Sequence, residues 1–93
     1  MVYDKDFLNE MKRAVRVKSD SADQEIADLI DSCENELKIS GVCIKDSLDP
    51  LSKQAIKLYC KAHYGYDENT ERFRLAYASL RDAMALSGEY KEP

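Results

Sequence analysis

The stretch "DPLSKQAIKLYCKAHYGY", Asp49 to Tyr66, decides the fold of this chain. An aspartate followed by a proline predicts a helix start, because the proline's missing N–H costs nothing in the first turn. The apolar side chains that follow fall on two adjacent helix faces and leave one polar row: Leu51, Ala55, Leu58, Tyr59 and Ala62 on the first face, Ile56, Cys60 and His63 on the second, and Lys53, Lys57 and Lys61 in the row. A helix that is apolar around most of its circumference lies at the centre of its domain or is covered by another chain. Gly65 predicts its end.

Two helices are predicted before this central helix. The first spans about residues 4–15, where apolar side chains recur at helical spacing. The second begins at Ser21, which with Gln24 has the pattern of a capping box, in which each side chain satisfies the other's free backbone N–H. It ends just before Gly41, a residue that readily adopts the left-handed conformation closing many helices. The connection over residues 42–49 is too short and too mixed in composition to predict a strand.

A fourth helix completes the predicted fold. Asp67 or Asn69 caps it, and its apolar side chains continue to about Ser87. No repeat, low-complexity tract or long linker divides the chain. The predicted fold class is therefore all-α, a single domain of residues 1–93 built as a small bundle of about four helices around the apolar third one, with residues 89–93 as a mobile tail.

Charge is distributed unevenly along the 93 residues. The chain carries 14 basic and 18 acidic residues for a net charge of −4, so as a whole it does not attract nucleic acid. Residues 1–18 sum to +2, whereas residues 19–50 sum to −7 and predict a second helix with an acidic outer face. That face is either simply solvated or a surface for a basic partner.

No targeting or membrane segment is predicted. The N-terminal stretch is charged throughout and lacks the apolar core of a signal peptide, and no run approaches the ~18 consecutive apolar residues of a membrane span. Three cysteines, an odd number in a chain without an export signal, indicate reduced thiols in a cytosolic setting.

Cys60 and His63, one helical turn apart, come nearest to the pattern of a chemical site. With Cys33 and Cys43 they could supply a zinc site of three cysteines and one histidine, but zinc ligands usually come in close pairs and only Cys60 and His63 are near each other. A cysteine nucleophile needs an imidazole within hydrogen-bond reach, which side chains at i and i+3 of one helix rarely achieve. We therefore expect packed cysteines, no metal, no cofactor and no catalytic residue, and the protein is predicted not to be an enzyme.

Two unlike surfaces are the candidates for contact with other subunits. One is the acidic outer face of the second helix, represented by Asp28, Asp31 and Glu34. The other is the lysine row of the third helix together with the tyrosines that follow it: Lys53, Lys57, Lys61, Tyr64 and Tyr66. Tyrosine combines a large apolar area with a polar tip and is enriched where proteins meet. Both surfaces also have plainer interpretations, solvation for the charges and core packing for the tyrosines. The lysine row could also meet the acidic second helix of the same or another chain, or face DNA.

The order of these segments resembles the small head-tail connector, or DNA-packaging adaptor, proteins of tailed bacteriophages and prophages. The resemblance covers about Phe7 to Tyr90. It rests on the opening "FLNEMKRAVRVKSDSADQEIADLIDSCENELKISG", on "DPLSKQAIKLYCKAHYGYDE" and on "FRLAYASLRDAMALSGEY". The third-helix segment with its tyrosines is the more specific part, and none of the three is a catalytic signature.

The resemblance implies a non-enzymatic subunit of the virion neck that is present in the bacterial host cytoplasm during assembly. It implies a homo-oligomeric ring under the portal protein that extends the DNA channel and docks a neck or tail-completion protein, with DNA passing through without sequence-specific binding. The alternative is a small cytosolic helical module for protein interaction or regulation. A helix-turn-helix regulator is disfavoured, because a recognition helix with seven acids and no base before Lys38 would be repelled by phosphate.

Overall fold

The structure, a computed structural model, describes residues 5–44, 49–64 and 69–91 of the chain. It contains four α-helices and one short 3₁₀ turn at Asp20–Ala22; the helices are α1 (Lys5–Ala14), α2 (Asp23–Ile39), α3 (Pro50–Tyr64) and α4 (Thr70–Ser87). No strand occurs within these described ranges. The predicted all-α class and the order of the four helices are confirmed.

Helix α3 is the centre of the bundle and packs against all three other helices. Its buried side chains are Ser52, Ala55, Ile56, Tyr59 and Cys60. Opposite them, α2 buries Ile26, Ile30, Cys33 and Leu37, and truncating one such aliphatic side chain to alanine typically costs about 2–5 kcal/mol. The face predicted from Leu51 onward is buried only in part, because Leu51 itself is 48% exposed at the start of the helix.

Side-chain contacts show that α3 and α4 run antiparallel. The rings of Tyr59 and Tyr77 meet edge to face with centroids 5.2 Å apart near the middle of the two helices. Beyond the end of α4, the Tyr90 hydroxyl donates to Asp49 Oδ2 at the start of α3, at 2.8 Å. The C-terminal end of α4 therefore lies beside the N-terminal end of α3.

Helix α2 runs in the same direction as α4. Arg81 Nη1 on α4 lies 3.1 Å from Glu36 Oε1 on α2, and one turn further on, Ile39 and Ala85 line the same groove. The C-terminal ends of α2 and α4 and the N-terminal end of α3 thus share one end of the bundle.

The predicted start of α2 is wrong in detail. Ser21 does not form a capping box with Gln24; instead its backbone N–H donates to Ser19 Oγ at 3.2 Å, and the chain enters the helix through the 3₁₀ turn. Gln24 Nε2 donates forward to Asp28 Oδ1 at 2.8 Å. Because serines at positions 19 and 21 can both cap, the local pattern did not distinguish between them.

The predicted end of α2 and start of α3 are confirmed. Gly41 has a φ of 94°, and the next residue, Val42, donates its N–H to the Leu37 carbonyl at 2.8 Å, which closes α2. At α3, Asp49 Oδ2 accepts from both the backbone N–H and the hydroxyl of Ser52, each at 3.0 Å.

The predicted boundaries around the last connection are tested only in part. Asn69 is the N-cap residue of α4, and its carbonyl accepts the first helical bond from the Phe73 N–H at 3.1 Å. The other two residues predicted to shape this connection, Gly65 and Asp67, lie outside the described residues.

Candidate interaction surfaces

The cysteines are placed for packing more than for chemistry. Cys33 and Cys60 are fully buried in the core, and burial raises the pKa of Cys60 to about 12 and also raises the pKa of Cys33, so both thiols stay protonated at neutral pH. His63 is exposed, with its ring centroid 4.2 Å from that of Tyr59. The packing prediction is confirmed for these two cysteines, whereas Cys43 is only half-buried.

Residues 5–44, 49–64 and 69–91 contain no group of three or more His, Cys, Asp or Glu side chains arranged to hold a metal ion.

The predicted lysine row runs along α3 where it passes α1 and α4, so its charges already have contacts inside the subunit. Lys53 Nζ lies 3.5 Å from Glu10 Oε2, and Lys57 Nζ lies 4.0 Å from the same oxygen. The Lys61 ammonium sits 5.2 Å from the centre of the Phe73 ring, a cation–π contact. Pairs of this exposure each contribute about 0–1 kcal/mol. Their main effect is to reduce the positive charge that the row offers to another molecule.

The tyrosines divide between core and periphery. Tyr59 and Tyr77 are buried, which confirms the core-packing interpretation for both. Burial raises the pKa of the Tyr77 hydroxyl, and the Arg81 guanidinium lies 5.6 Å from the centre of its ring. Tyr64 is half-buried and packs against the core, and Tyr66 lies outside the described residues.

The acidic face of α2 reaches solvent through its first half. Asp28 and Asp31 are exposed and Glu34 is half-buried. Glu36, two residues beyond Glu34, is bound to Arg81 across the gap to α4. The exposed part of the acidic surface therefore lies toward the N-terminal end of α2.

A buried lysine joins α1 to the start of α2. Lys12 Nζ lies 2.6 Å from Asp23 Oδ1 and 3.4 Å from Asp20 Oδ1, and its side chain is only 7% exposed. The hydrogen bond to Asp23 is the main cause that raises the pKa of Lys12. No motif indicated this ion pair, because it depends on the tight turn that brings α1 and α2 together.

That turn puts Arg16 in the left-handed region, with a φ of 62°. The Val17 N–H then donates to the Lys12 carbonyl at 2.9 Å and the Arg16 N–H to the Arg13 carbonyl at 3.1 Å. This is the closing pattern of a helix C-terminus, with arginine where glycine is usual.

Tyr90, three residues after the end of α4, is held against the bundle. Tyr90 is 8% exposed, and besides its hydroxyl bond to Asp49 its carbonyl accepts from the Cys43 N–H. Burial and the Asp49 carboxylate raise the pKa of Tyr90 to about 12. The mobile tail predicted for residues 89–93 is therefore wrong at Tyr90, and residues 92 and 93 lie outside the described residues.

One end of the bundle exposes apolar side chains around an open groove. Ile39 and Leu86 are each 87% exposed, and they and Leu51 are three of the four large hydrophobic side chains exposed in the described chain. A cavity of about 720 Å³ opens between the C-terminal ends of α2 and α4, lined by Asn35, Lys38, Ile39, Gly41, Cys43, Ala85 and Lys91. We call it the Ile39 groove. The groove was not predicted from the sequence, although Ile39 lies off the helix face that buries Cys33 and Leu37 and could have indicated an exposed apolar position.

No helix within the described ranges is both long enough and apolar enough to cross a lipid bilayer.

The features that stand out in the described chain are surfaces: an acidic helix face, a lysine row engaged within the subunit and an apolar groove at one end of a four-helix bundle. They define the chain as a small all-α bundle with exposed acidic and apolar surfaces. Residues 7–91 match the family model described as phage connector protein, and the chain belongs to that family. Comparison with curated proteins and with solved structures found no match. The family inferred from the sequence is thus confirmed over almost the same residues.

Proposed function

We propose that the protein is a non-enzymatic head-tail connector subunit that assembles into a ring beneath the portal. The ring extends the DNA channel and docks a neck or tail-completion protein, and the subunit passes from the host cytoplasm into the virion neck. The observation that carries this proposal is membership of the phage connector family over nearly the whole chain.

A ring needs two different patches that meet between neighbouring subunits. The acidic face of α2, with Asp28, Asp31 and Glu34, is one candidate patch. The lysine row Lys53, Lys57 and Lys61, with Tyr64 and Tyr66, stays a predicted counterpart. The contacts of this row with Glu10 and Phe73 leave it less charge to contribute, so apolar and aromatic area would supply most of the affinity.

The charge balance supports a passive channel. A net charge of −4 keeps the subunit from condensing on phosphate. DNA can then slide through an assembled ring without sequence-specific contacts. This charge balance would not suit a protein that must hold DNA by itself.

Deleting the gene in a phage that encodes this chain tests the proposal. We expect filled heads and complete tails that fail to join, as seen by electron microscopy of the lysate. A copy of the gene supplied from a plasmid should restore joined particles, which controls for effects on neighbouring genes. Normal infectious virions made without the protein would contradict the proposal.

A further inference from the structure

We propose that in the ring the outer face of α4 packs against the outer face of α2 of the next copy, with both helices along the ring axis. The inference rests on the proposed function, because it names the surfaces through which neighbouring connector subunits meet. It is carried by two exposed helix faces of matching spacing, by the common direction of their helices and by the side chains at their two ends.

Helix α4 exposes one whole face on the side opposite the core. Its buried residues are Tyr77 and Met84. On the other side, residues spaced alternately three and four apart are exposed at every position, and we call them the α4 stripe: Arg72, Leu75, Ser79, Asp82 and Leu86. Leu75 and Leu86 are 60% and 87% exposed. Two such leucines on one solvent-facing helix face are typical of a surface that another protein covers.

Helix α2 has an exposed face of the same form. Opposite its buried residues Ile26, Ile30, Cys33 and Leu37, it carries residues with the same spacing, again exposed at every position, which we call the α2 stripe: Glu25, Asp28, Ser32, Asn35 and Ile39. Side chains spaced three and four apart in turn are those through which two parallel helices pack along their length.

The two stripes are level with each other, because α2 and α4 run in the same direction and the Arg81–Glu36 ion pair joins them side by side. Counted along the helices from that contact, Leu86 is level with the end of α2 at Ile39, and Arg72 is level with the first two turns of α2. Rotation about a ring axis leaves heights along that axis unchanged. Each residue of the α4 stripe therefore meets a residue of the next copy that is level with it.

The side chains at the two ends of the stripes are complementary. At the N-terminal ends, Arg72 meets Glu25 of the next copy, with Asp28 one turn further along. No ion pair within the described ranges involves Arg72 or Glu25. At the C-terminal ends, Leu86 covers Ile39 of the next copy. Because both of these side chains are 87% exposed, they do not cover each other within one subunit.

Charge also favours α4 over the lysine row as the counterpart of α2. Lys53 Nζ and Lys57 Nζ already lie 3.5 Å and 4.0 Å from Glu10 Oε2 of their own subunit. The α4 stripe offers Arg72 and two leucines, so it supplies both the opposite charge and the apolar area that the contact needs.

The middle of the contact limits its strength. The short side chains of Ser32 and Ser79 let the two helices approach, but Leu75 falls beside Asp28 and finds no apolar partner in the α2 stripe. A single helix face about 21 Å long buries less than the roughly 800 Å² per partner of a typical stable complex. The contact therefore forms when a portal holds several copies side by side.

A charge exchange tests the N-terminal end of the contact. The readout is the protein concentration at which portal rings of the same phage gain mass. Arg72→Glu and Glu25→Arg should each raise that concentration at least about tenfold, whereas the double variant restores opposite charges between copies and should stay within about threefold of the parent. Arg13→Glu, the same change at an exposed position outside both stripes, should also stay within about threefold.

Crosslinking tests the C-terminal end without changing any charge. Ile39→Cys and Leu86→Cys, each combined with Cys43→Ser to remove the half-buried thiol, are bound to portals separately and as a mixture and then treated with a short bis-maleimide linker. The remaining cysteines, Cys33 and Cys60, are buried. We expect linked dimers of this chain from the mixture and none from either variant alone.

The two tests separate the inference from the proposed function. The inference is overturned if the mixture gives no linked dimer, if either variant alone gives one, if the link forms to the portal protein, or if the charge exchange does not restore assembly. Each of these results leaves the connector proposal standing. A parent protein that adds no mass to portals at any concentration overturns both.

Discussion

Arg16 holds a backbone conformation that usually belongs to glycine. The left-handed conformation costs a residue with a Cβ about 1–2 kcal/mol. Arg16 has a φ of 62°, and its side chain is exposed, so the turn depends only on its backbone. Arg16→Gly removes that strain but increases the conformational entropy of the unfolded chain. We expect a net gain in the free energy of unfolding of about 0.5–1 kcal/mol, measured by urea denaturation.

The same substitution three residues earlier is the matched control. Arg13 is exposed in the last turn of α1, where glycine should cost up to about 1 kcal/mol because it is a poor helix former. Equal losses of stability from both changes would show that the left-handed turn at position 16 is not strained.

The burial and pairing of single residues could be predicted from the sequence only in part. The burial of Cys33 could be predicted, because it lies on the same helix face as Ile30 and Leu37. The half-buried position of Cys43 could not, because it lies in an irregular connection without a hydrophobic period. The ion pair between Lys12 and Asp23 could not be predicted either, because it depends on how α1 and α2 meet and not on either helix by itself.

At the scale of elements, the start of α3 is the clearest case of local sequence fixing structure. Asp49 caps the helix through Ser52 and also accepts the Tyr90 hydroxyl. Asp49→Ala removes the cap and should lower the free energy of unfolding by about 1 kcal/mol or somewhat more. Asp49→Asn keeps a capping oxygen but loses the charge, and its loss should be smaller.

The pH dependence of this loss follows from the pKa of Asp49. Its hydrogen bonds, first from the Ser52 N–H and then from the Tyr90 hydroxyl, hold the pKa below its ordinary value. The folded state thus favours the carboxylate, which stabilises the protein above the unfolded pKa of about 4, and this stabilisation is lost as the pH falls through the folded value. The stability difference between the parent and Asp49→Asn should therefore shrink below about pH 4 in unfolding curves. A difference that stays constant into acid would show that charge is not what Asp49 contributes.

The ends of the helices could be predicted from the sequence, but the contacts between helices could not. The Asp-Pro pair that starts α3 and the glycine that closes α2 act on residues within one helical turn. The hydrogen bond from Tyr90 to Asp49 spans 41 residues, so the sequence indicated mobility at Tyr90 where the structure holds it against the bundle. The Ile39 groove was missed for the same reason, because its two walls come from helices far apart in the chain.

For the whole molecule, charge makes a prediction about DNA. With a net charge of −4 and its acidic face exposed, the isolated subunit should show no measurable binding to duplex DNA at physiological salt, because too few phosphate contacts are available to release counterions. Fluorescence anisotropy with a labelled duplex measures this. A micromolar complex at that salt would favour a DNA-binding regulator over a channel.

We propose that copies of this chain close into a ring on a portal. A domain of 93 residues offers only a small contact surface to its neighbour, so the free protein should remain monomeric or form small oligomers in dilute solution, and the portal should act as the template. The most direct measurement is the mass of the portal ring before and after mixing with excess protein. We expect one discrete heavier species whose added mass is a fixed multiple of the subunit mass, with no series of partial complexes at saturation. A portal that gains no mass at any protein concentration would contradict it.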